Sequence, residues 1–358
     1  MTIAVLGAGG GGLSAAVELT AAGHDVVLWN RNPDRLAPHV DQHVRYRGVF
    51  GEGAAKISAM TSDLHAAIDG AAAVAVCLPS VVHARLFQEL ATEKCSVPII
   101  LNPGHTGGAL HLRAVFASAG VSVPPVAEFS TLTYVARVDT TGAVNISGRA
   151  NQVRVAALPG GADAVLKAKS LFPGCAEVSD VLASSLSNVN LVLHPPGAVL
   201  GASWVEATGG DFTFYVEGMT AGVGRVLNQL DMERLEVARA FGHELPPLST
   251  EMAAIGTVDE TAAQAGNTVE AIRGGAANAA IAAPDSFSHR YYQEDLAFGL
   301  LPFVELARIA QTPVPVAEAL LKLGATAVGG DLLAAGLDAG RLGLKGMTRD
   351  GLIESVRV

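Results

Sequence analysis

Residues 3–12 of the chain, IAVLGAGGGG, carry an apolar strand-like run straight into Gly7-x-Gly9-x-x-Gly12 and then into a helix-like segment, Leu13 to Ala22. Gly7 permits a tight turn, and Gly9 lets backbone N–H groups approach a pyrophosphate. Gly12 allows the new helix to pack closely on its strand, with the helix N-terminus facing the phosphates. Gly10 and Gly11 fall between them and join the set expected to line a dinucleotide. His24-Asp25 then makes a turn, and Val26 to Trp29 supplies a second buried strand. Strand, glycine turn, helix and strand within about thirty residues predict an α/β chain that opens with a Rossmann dinucleotide-binding domain.

The end of the second strand bears on the choice of dinucleotide. An NAD site commonly places Asp or Glu there, about twenty residues beyond the glycines, to bind the ribose hydroxyls. This chain has Asn30, followed by Arg31, Asn32 and Arg35. A neutral amide removes the repulsion a carboxylate exerts on a 2′-phosphate, and Arg31 offers that phosphate charge-assisted hydrogen bonds. NADP(H) is therefore the expected cofactor. NAD(H) is also admissible, with Asn30 serving either nucleotide and the arginines solvated.

At 358 residues, with 50% hydrophobic and 16% charged residues, the chain has material for two buried cores. A net charge of −10 argues against nucleic acid and anionic membrane as partners, since a polyanion requires a basic face. Cys77, Cys95 and Cys175 match neither a metal pattern nor a disulfide framework. The first strand begins at once and is soon broken by glycines, and no stretch approaches the roughly 18–20 apolar residues of a membrane span. A cytoplasmic protein is expected.

Ala71 to Leu78 reads as a buried parallel strand ended by Pro79-Ser80, and Val97 to Leu101 as another ended by Asn102-Pro103-Gly104, with a helix over Val81 to Thr92 between them. Strand ends of a parallel sheet face the ligand, so Pro79, Asn102 and Gly104 are expected beside the nicotinamide. Further strands are expected near Val123–Phe129, Leu132–Val138, Ala143–Ile146 and Val153–Ala157, the sheet ending by about Glu177. From Val181 onward helical spacing takes over, as in Asp231–Phe241, Leu300–Ala310 and Val316–Leu323. Pro246-Pro247 and Pro313-x-Pro315 mark breaks between helices. Domains of residues 1–180 and 181–358 are expected, the second all-helical, with substrate between them. The apolar C-terminal helices are compatible with a homodimer.

In the helical half, SLSNVNLVLHPPGAVL (Ser185 to Leu200) places Asn190 and His194 four residues apart on one helix face. Pro195-Pro196 predicts that His194 sits at a helix end or kink, near freed carbonyls and the negative end of the dipole. Read alone, a histidine in an apolar helix is more often a hydrogen-bonded core residue. HRYYQEDLAFGL (His289 to Leu300) concentrates Arg290, Tyr291, Tyr292, Glu294 and Asp295 ahead of another apolar helix, which by itself also fits a polar helix N-terminus. His105 reads as a loop histidine facing solvent. Glu128, Ser130 and Thr131 follow a strand end within reach of substrate polar groups, and Tyr215 and Glu217 read as helix-packing and surface residues.

With these segments assembled, the chain resembles the opine dehydrogenases, a family that includes octopine and nopaline dehydrogenases and N-(1-D-carboxyethyl)-L-norvaline dehydrogenase. The resemblance spans almost the whole length. It rests on GAGGGG, ILNPGHTGGAL (Ile100–Leu110), SLSNVNLVLHP (Ser185–Pro195), FYVEGMT (Phe214–Thr220), RYYQEDLAFGLLP (Arg290–Pro302) and LGLKGMT (Leu342–Thr348), in that order. It implies a helical domain of the 6-phosphogluconate-dehydrogenase type. It also implies that His194 and Asp295 form the proton-handling couple and that Arg290 holds a substrate carboxylate; by their own positions, Asn190 and Thr131 are expected as further substrate contacts. The implied reaction condenses an α-keto acid with the amino group of an amino acid and reduces the imine to a secondary amine dicarboxylate. A ketone reductase of the same two-domain plan, ketopantoate or 3-hydroxyacid type, is the nearest rival, but it usually employs a lysine that Ser185–Leu200 lacks. A non-catalytic NADP(H) sensor has no need of the His194–Asp295 couple.

Overall fold

The opening βαβ unit consists of β1 (Thr2–Leu6), α1 (Gly10–Ala21) and β2 (Asp25–Trp29), with β1 and β2 parallel and Thr2 opposite Asp25. The computed structural model describes residues 1–276 and 278–358. Ten further strands follow: β3 (His43–Gly48), β4 (Gly53–Lys56), β5 (Ala59–Thr61), β6 (Ala73–Val76), β7 (Ile99–Leu101), β8 (Val126–Phe129), β9 (Tyr134–Val138), β10 (Val144–Arg149), β11 (Val153–Ala157) and β12 (Cys175–Glu177). Eight strands form one sheet in the order β12-β11-β8-β7-β6-β1-β2-β5, parallel at every step except β8 against β11. The chain runs outward from β1 to β2 and β5, then returns to β6 on the other side of β1. That reversal places a topological switch point at the carboxyl ends of β1 and β6, where open α/β sheets bind ligands.

A second sheet, of order β4-β3-β10-β9, departs from the single sheet expected. The Leu132–Val138 and Ala143–Ile146 segments do form strands, but they pair with the β3–β4 hairpin that the sequence did not reveal. The burial pattern accounts for this: β9 and β10 bury Tyr134, Ala136, Val144 and Ile146 and leave alternate residues partly exposed, a one-sided pattern unlike the fully buried β6 to β8. The apolar face of this sheet covers α1, which thus lies between two sheets. Glu18 of α1 fastens it, accepting Tyr134 Oη at 2.5 Å and Arg149 Nε at 2.9 Å.

By packing, residues 1–104 and 108–181 form one unit with Val358, and residues 105–107 and 182–357 form the other, which is built from helices. At its centre the Asn190–Leu200 helix packs on the helices Ala221–Ala240 and Pro315–Val328 and on a helical run through residues 290–310. Two of the prolines expected at helix breaks fall at helix starts: Pro247 precedes Leu248–Ile255, and Pro315 occupies the first position of its helix, where the missing N–H costs nothing. No helix among the described residues is long and apolar enough to cross a membrane.

One buried charge holds three parts of the helical unit together. The Arg234 guanidinium donates to Asp231 at 2.8 Å, to the Leu186 carbonyl at 2.9 Å and to the Pro246 carbonyl at 2.8 Å, while Asp231 accepts the Leu248 N–H at 2.8 Å. Arg234→Ala would strand a buried carboxylate and two carbonyls, a loss of about 3–5 kcal/mol. A fall in Tm of at least about 6 °C is expected in thermal denaturation, and a Tm within about 1 °C of the wild type would show that the network is not structural.

Candidate active site

Each glycine of the opening turn answers a separate requirement. Gly7 has φ +120°, and a Cβ there would lie 2.6 Å from the Cys77 carbonyl at the end of β6. A Cβ on Gly12 would run into the Gly7 carbonyl, so strand and helix touch backbone to backbone. Gly10 and Gly11 face β9 and its approach, their Cβ positions 2.8 Å from the Ala136 carbonyl and 2.9 Å from the Leu132 side chain. Gly9 alone of the five meets nothing within 4 Å. Helix α1 starts at Gly10, earlier than the expected Leu13, and no side chain caps it. The N–H groups of Gly10 to Gly12 are therefore first-turn donors, a set that fits a pyrophosphate.

Asn30 secures this turn. Its Oδ1 accepts the Ala8 N–H at 3.1 Å and its Nδ2 donates to the Asn32 carbonyl at 2.9 Å, while Arg31 is exposed beside it. Pro79 is exposed beyond β6. Asn102 differs from the expectation of a residue presented to the nicotinamide: it is fully buried, its Nδ2 donating to Thr133 Oγ1 at 2.9 Å and its Oδ1 accepting the Thr133 N–H at 3.1 Å. Gly104 is likewise built into the sheet end, donating to the Phe129 carbonyl at 2.9 Å, with Glu128 standing where a Cβ would go. Glu128 is buried and accepts the Ala109 N–H at 2.8 Å, at the start of the Gly108–Ser118 helix, which is a helix-terminus role. Ser130 and Thr131, both buried, follow it.

In the helical unit, His194 and Asp295 meet although 101 residues separate them: Nδ1 lies 2.7 Å from Oδ2, with the two residues 5% and 2% exposed. A carboxylate only accepts, so Nδ1 carries the proton in the neutral ring and Nε2 presents its lone pair. The position of His194 differs from expectation. It is the fifth residue of the Asn190–Leu200 helix, which continues through Pro195 and Pro196 rather than ending or kinking before them, so the helix C-terminus has no part in its setting. Asn190 opens the same helix, half-buried, one turn earlier.

The second ring nitrogen has a partner that was not expected from the sequence, Tyr215. Tyr215 Oη lies 2.8 Å from His194 Nε2 and 2.9 Å from Tyr291 Oη, and the Tyr291 ring stacks on the imidazole at 3.9 Å with an interplanar angle of 24°. Tyr215 stands in the irregular segment between Gly210 and Thr220, not in a packing helix. Its signal was present in Phe214-Tyr215, since a buried tyrosine hydroxyl needs a partner. Glu217 is a surface residue that accepts the Thr213 N–H at 2.7 Å.

Asp295 begins a π-helical stretch, Asp295–Leu300, between the Arg290–Gln293 turn and the Leu301–Ala310 helix. Its neighbour Glu294 pairs with Arg290 at 2.8 Å and with His105 Nε2 at 3.4 Å. His105 is therefore no solvent-facing residue: it is buried, with φ +57°, and packs in the helical unit. Burial holds its imidazole below the ordinary value, Arg290 and His194 acting in the same direction against Glu294 and Asp295. Arg290 keeps 45% of its side chain exposed, so its fork retains outward donors beside the couple.

Residues 2–103 match the family described as NAD-dependent glycerol-3-phosphate dehydrogenase N-terminus, and residues 177–328 match NAD/NADP octopine/nopaline dehydrogenase, alpha-helical domain. Over 360 residues the chain is 32% identical to the opine dehydrogenase of Arthrobacter sp. (strain 1C), covering 99% of this chain and 98% of that one. The chain belongs to the opine dehydrogenase family. Octopine dehydrogenase solved with NADH and L-arginine shares its fold at a TM-score of 0.77 and 19% identity, and the form with NADH and pyruvate at 0.76 and 20%, each covering 99% of this chain and 98% of the other. Yersinopine dehydrogenase with NADP+ bound gives 0.73 at 16% identity, covering 99% and 97%. This opine dehydrogenase is an NAD(P)-dependent oxidoreductase with a Rossmann-like N-terminal domain followed by a helical one.

Two predictions follow from the geometry of the enzyme. Gly9→Ala, with open space at its Cβ, should melt within about 1 °C of the wild type yet weaken dinucleotide binding by about tenfold or more, whereas Gly12→Ala should lower Tm by several degrees. Fluorescence titration with NADPH and thermal melts separate the two, and equal losses of stability would refute the assignment of Gly9. His105 has a folded-state value below that of the unfolded chain, so its contribution to stability is complete above the unfolded value of about 6.5 and is lost as pH falls from there through the lowered folded-state value. His105→Asn, tolerant of a left-handed backbone, should flatten the fall in Tm between about pH 7.5 and about 5.5. An unchanged slope would assign the acid sensitivity elsewhere.

Proposed function

We propose that this opine dehydrogenase joins a pyruvate-like α-keto acid to the amino group of an amino acid, and that His194 and Asp295 handle the protons. The observation that carries the reading is the buried 2.7 Å contact between His194 and Asp295, with Arg290 one helical turn away. The balance requires an acid–base group. Keto acid, amine, NAD(P)H and one proton give a secondary amine dicarboxylate, NAD(P)+ and water: the C=O bond breaks as C=N forms, the oxygen leaves as water, and the imine carbon is reduced. The cofactor supplies the hydride when bound. Asp295 fixes the ring so that Nδ1 holds its proton, leaving Nε2 to take a proton from the amine and return one to the departing oxygen. Arg290 orients the keto-acid carboxylate through its outward N–H groups while Glu294 restrains its other edge. Asn190 and Thr131 are assigned to the remaining substrate polar groups. Residues 1–180 serve as the cofactor domain and residues 181–358 as the substrate domain.

The phosphate end favours NADP(H). Asn30 puts no charge beside a 2′-phosphate, and exposed Arg31 and Arg35 supply positive charge next to it. The amine partner proposed is a neutral or basic L-amino acid.

A matrix of keto acids against L-amino acids, followed by NADPH and by NADH consumption, tests the reading. Oxidation is expected only when both substrates are present, faster with NADPH, and Arg31→Ala should narrow the difference between cofactors. Oxidation with keto acid alone would make the enzyme a ketone reductase. With an active pair, His194→Ala should lower kcat by about 10²–10⁴-fold and Asp295→Asn by a lesser factor, while Arg290→Ala should raise the keto-acid KM by about tenfold or more. A His194→Ala enzyme with full turnover removes the assignment.

A further inference from the structure

Both ring nitrogens of His194 are engaged within the protein: Nδ1 with Asp295 at 2.7 Å and Nε2 with Tyr215 Oη at 2.8 Å. The ring is not free to swing away from these partners, since Tyr291 stacks on one face at 3.9 Å and Phe214 stands edge-on at 6.3 Å. Nothing reaches Nε2 without either breaking the Tyr215 bond or passing a proton through that hydroxyl. We infer that Tyr215 is the group through which His194 exchanges its proton, with Tyr291 as the positioning residue that holds both. The inference rests on the assignment of His194 as the acid–base group.

A hydroxyl suits this place because it donates and accepts at once. With a neutral imidazole, Tyr215 donates to Nε2 and its oxygen accepts from Tyr291 across 2.9 Å. With an imidazolium, Nε2–H donates to the Tyr215 oxygen, and the Tyr215 proton turns outward. Proton release to a departing substrate hydroxyl then moves two protons in step: the Tyr215 proton goes to that oxygen, whose C–O bond breaks to give water, and the Nε2 proton replaces it on Tyr215. The histidine ends neutral and the tyrosine is unchanged. Burial, together with Tyr291 and Asp295 and against the opposing pull of Arg290, keeps the Tyr215 hydroxyl well above the ordinary tyrosine range, so it stays protonated while it relays. The groups facing this chain are Asp295, Tyr291 and Arg290 around Tyr215, Phe214 beside the imidazole, buried His105 with its Glu294 partner in electrostatic reach of the imidazole, and His289 edge-on to Tyr291 at 4.6 Å.

Tyr215→Phe removes the hydroxyl and keeps the ring. With a keto acid and amino acid pair that the wild type turns over, it should lower kcat by about 10- to 100-fold and leave the keto-acid KM and NADPH affinity within about twofold. Tyr291→Phe, which preserves the Tyr215–His194 bond, should lower kcat by a smaller factor without moving Tm. In ¹⁵N-histidine NMR of the wild type, His194 should show a hydrogen-bonded Nε2 acceptor that shifts in Tyr215→Phe, with or without turnover. A Tyr215→Phe enzyme within twofold of wild-type kcat at every pH overturns the relay. If that variant does not fold, Tyr291→Phe decides: reduced kcat at unchanged Tm supports the relay, and wild-type kcat overturns it. His194→Ala run in parallel separates the two readings. An inactive His194→Ala beside an active Tyr215→Phe sinks the relay alone, whereas a fully active His194→Ala, or no turnover with any pair, sinks the functional reading and the relay together.

Discussion

The buried contact between His194 and Asp295 is a constraint that the helices around it must satisfy. An imidazole and a carboxylate both removed from water are tolerable only when each finds partners for its remaining hydrogen-bonding capacity. Meeting that condition ties the Asn190–Leu200 helix to the π-helical stretch that starts at Asp295, and then draws in Tyr215 and Tyr291 to occupy Nε2 and cover the ring. The same interactions that make the pair affordable also fix the tautomer. A ring held this firmly needs no rearrangement to play the acid–base part proposed for it.

The N-terminal unit depends on a different constraint, the absence of side chains. Strand β1 and helix α1 meet at Gly7 and Gly12 with no room for a Cβ, and the opposite side of α1 meets the second sheet through Gly10 and Gly11. Four glycines thus satisfy packing, and only Gly9 is left to open space. A run that reads as one phosphate-binding motif is, in three dimensions, mostly the means of inserting a helix between two sheets. Asn30 completes the arrangement from just beyond β2 by accepting the Ala8 N–H, so a residue expected to bear on the choice of nucleotide also braces the turn.

How much of this the sequence disclosed follows from the physics of each element. Strands β6, β7 and β11 were legible because central strands buried on both faces read as short apolar runs. The β3–β4 hairpin was not, since HVRYRG and GAAK are short, half-exposed and charged, and acquire their strand character from pairing with β10 and with each other. His194 and Asp295 stood out singly, but no periodicity links residues 101 apart, and their pairing entered through the resemblance to a family. His105 was misread because its burial comes from packing with the helical unit, not from its neighbours in the loop. Tyr215 lies in an irregular segment, where no repeating pattern assigns a side chain to a face. The Pro195-Pro196 pair misled in the opposite direction: proline φ is already helical, and a helix packed on several neighbours survives the loss of two hydrogen bonds.

The π-helical stretch explains how two adjacent carboxylates serve different partners. Glu294 turns to Arg290 and His105, and Asp295 turns to His194, one backbone step away. A regular α-helix through residues 290–310 would fix both the direction of Asp295 and the apolar face of the following turns by one period. Widening the turns after Asp295 lets the carboxylate register and the core register be set separately: Leu296, Leu300 and Phe303 stay buried while Asp295 reaches the imidazole. Such turns have poorer hydrogen-bond geometry than the α-helix and persist where packing offsets the loss. Here all six residues of the stretch are buried, so packing supplies that compensation.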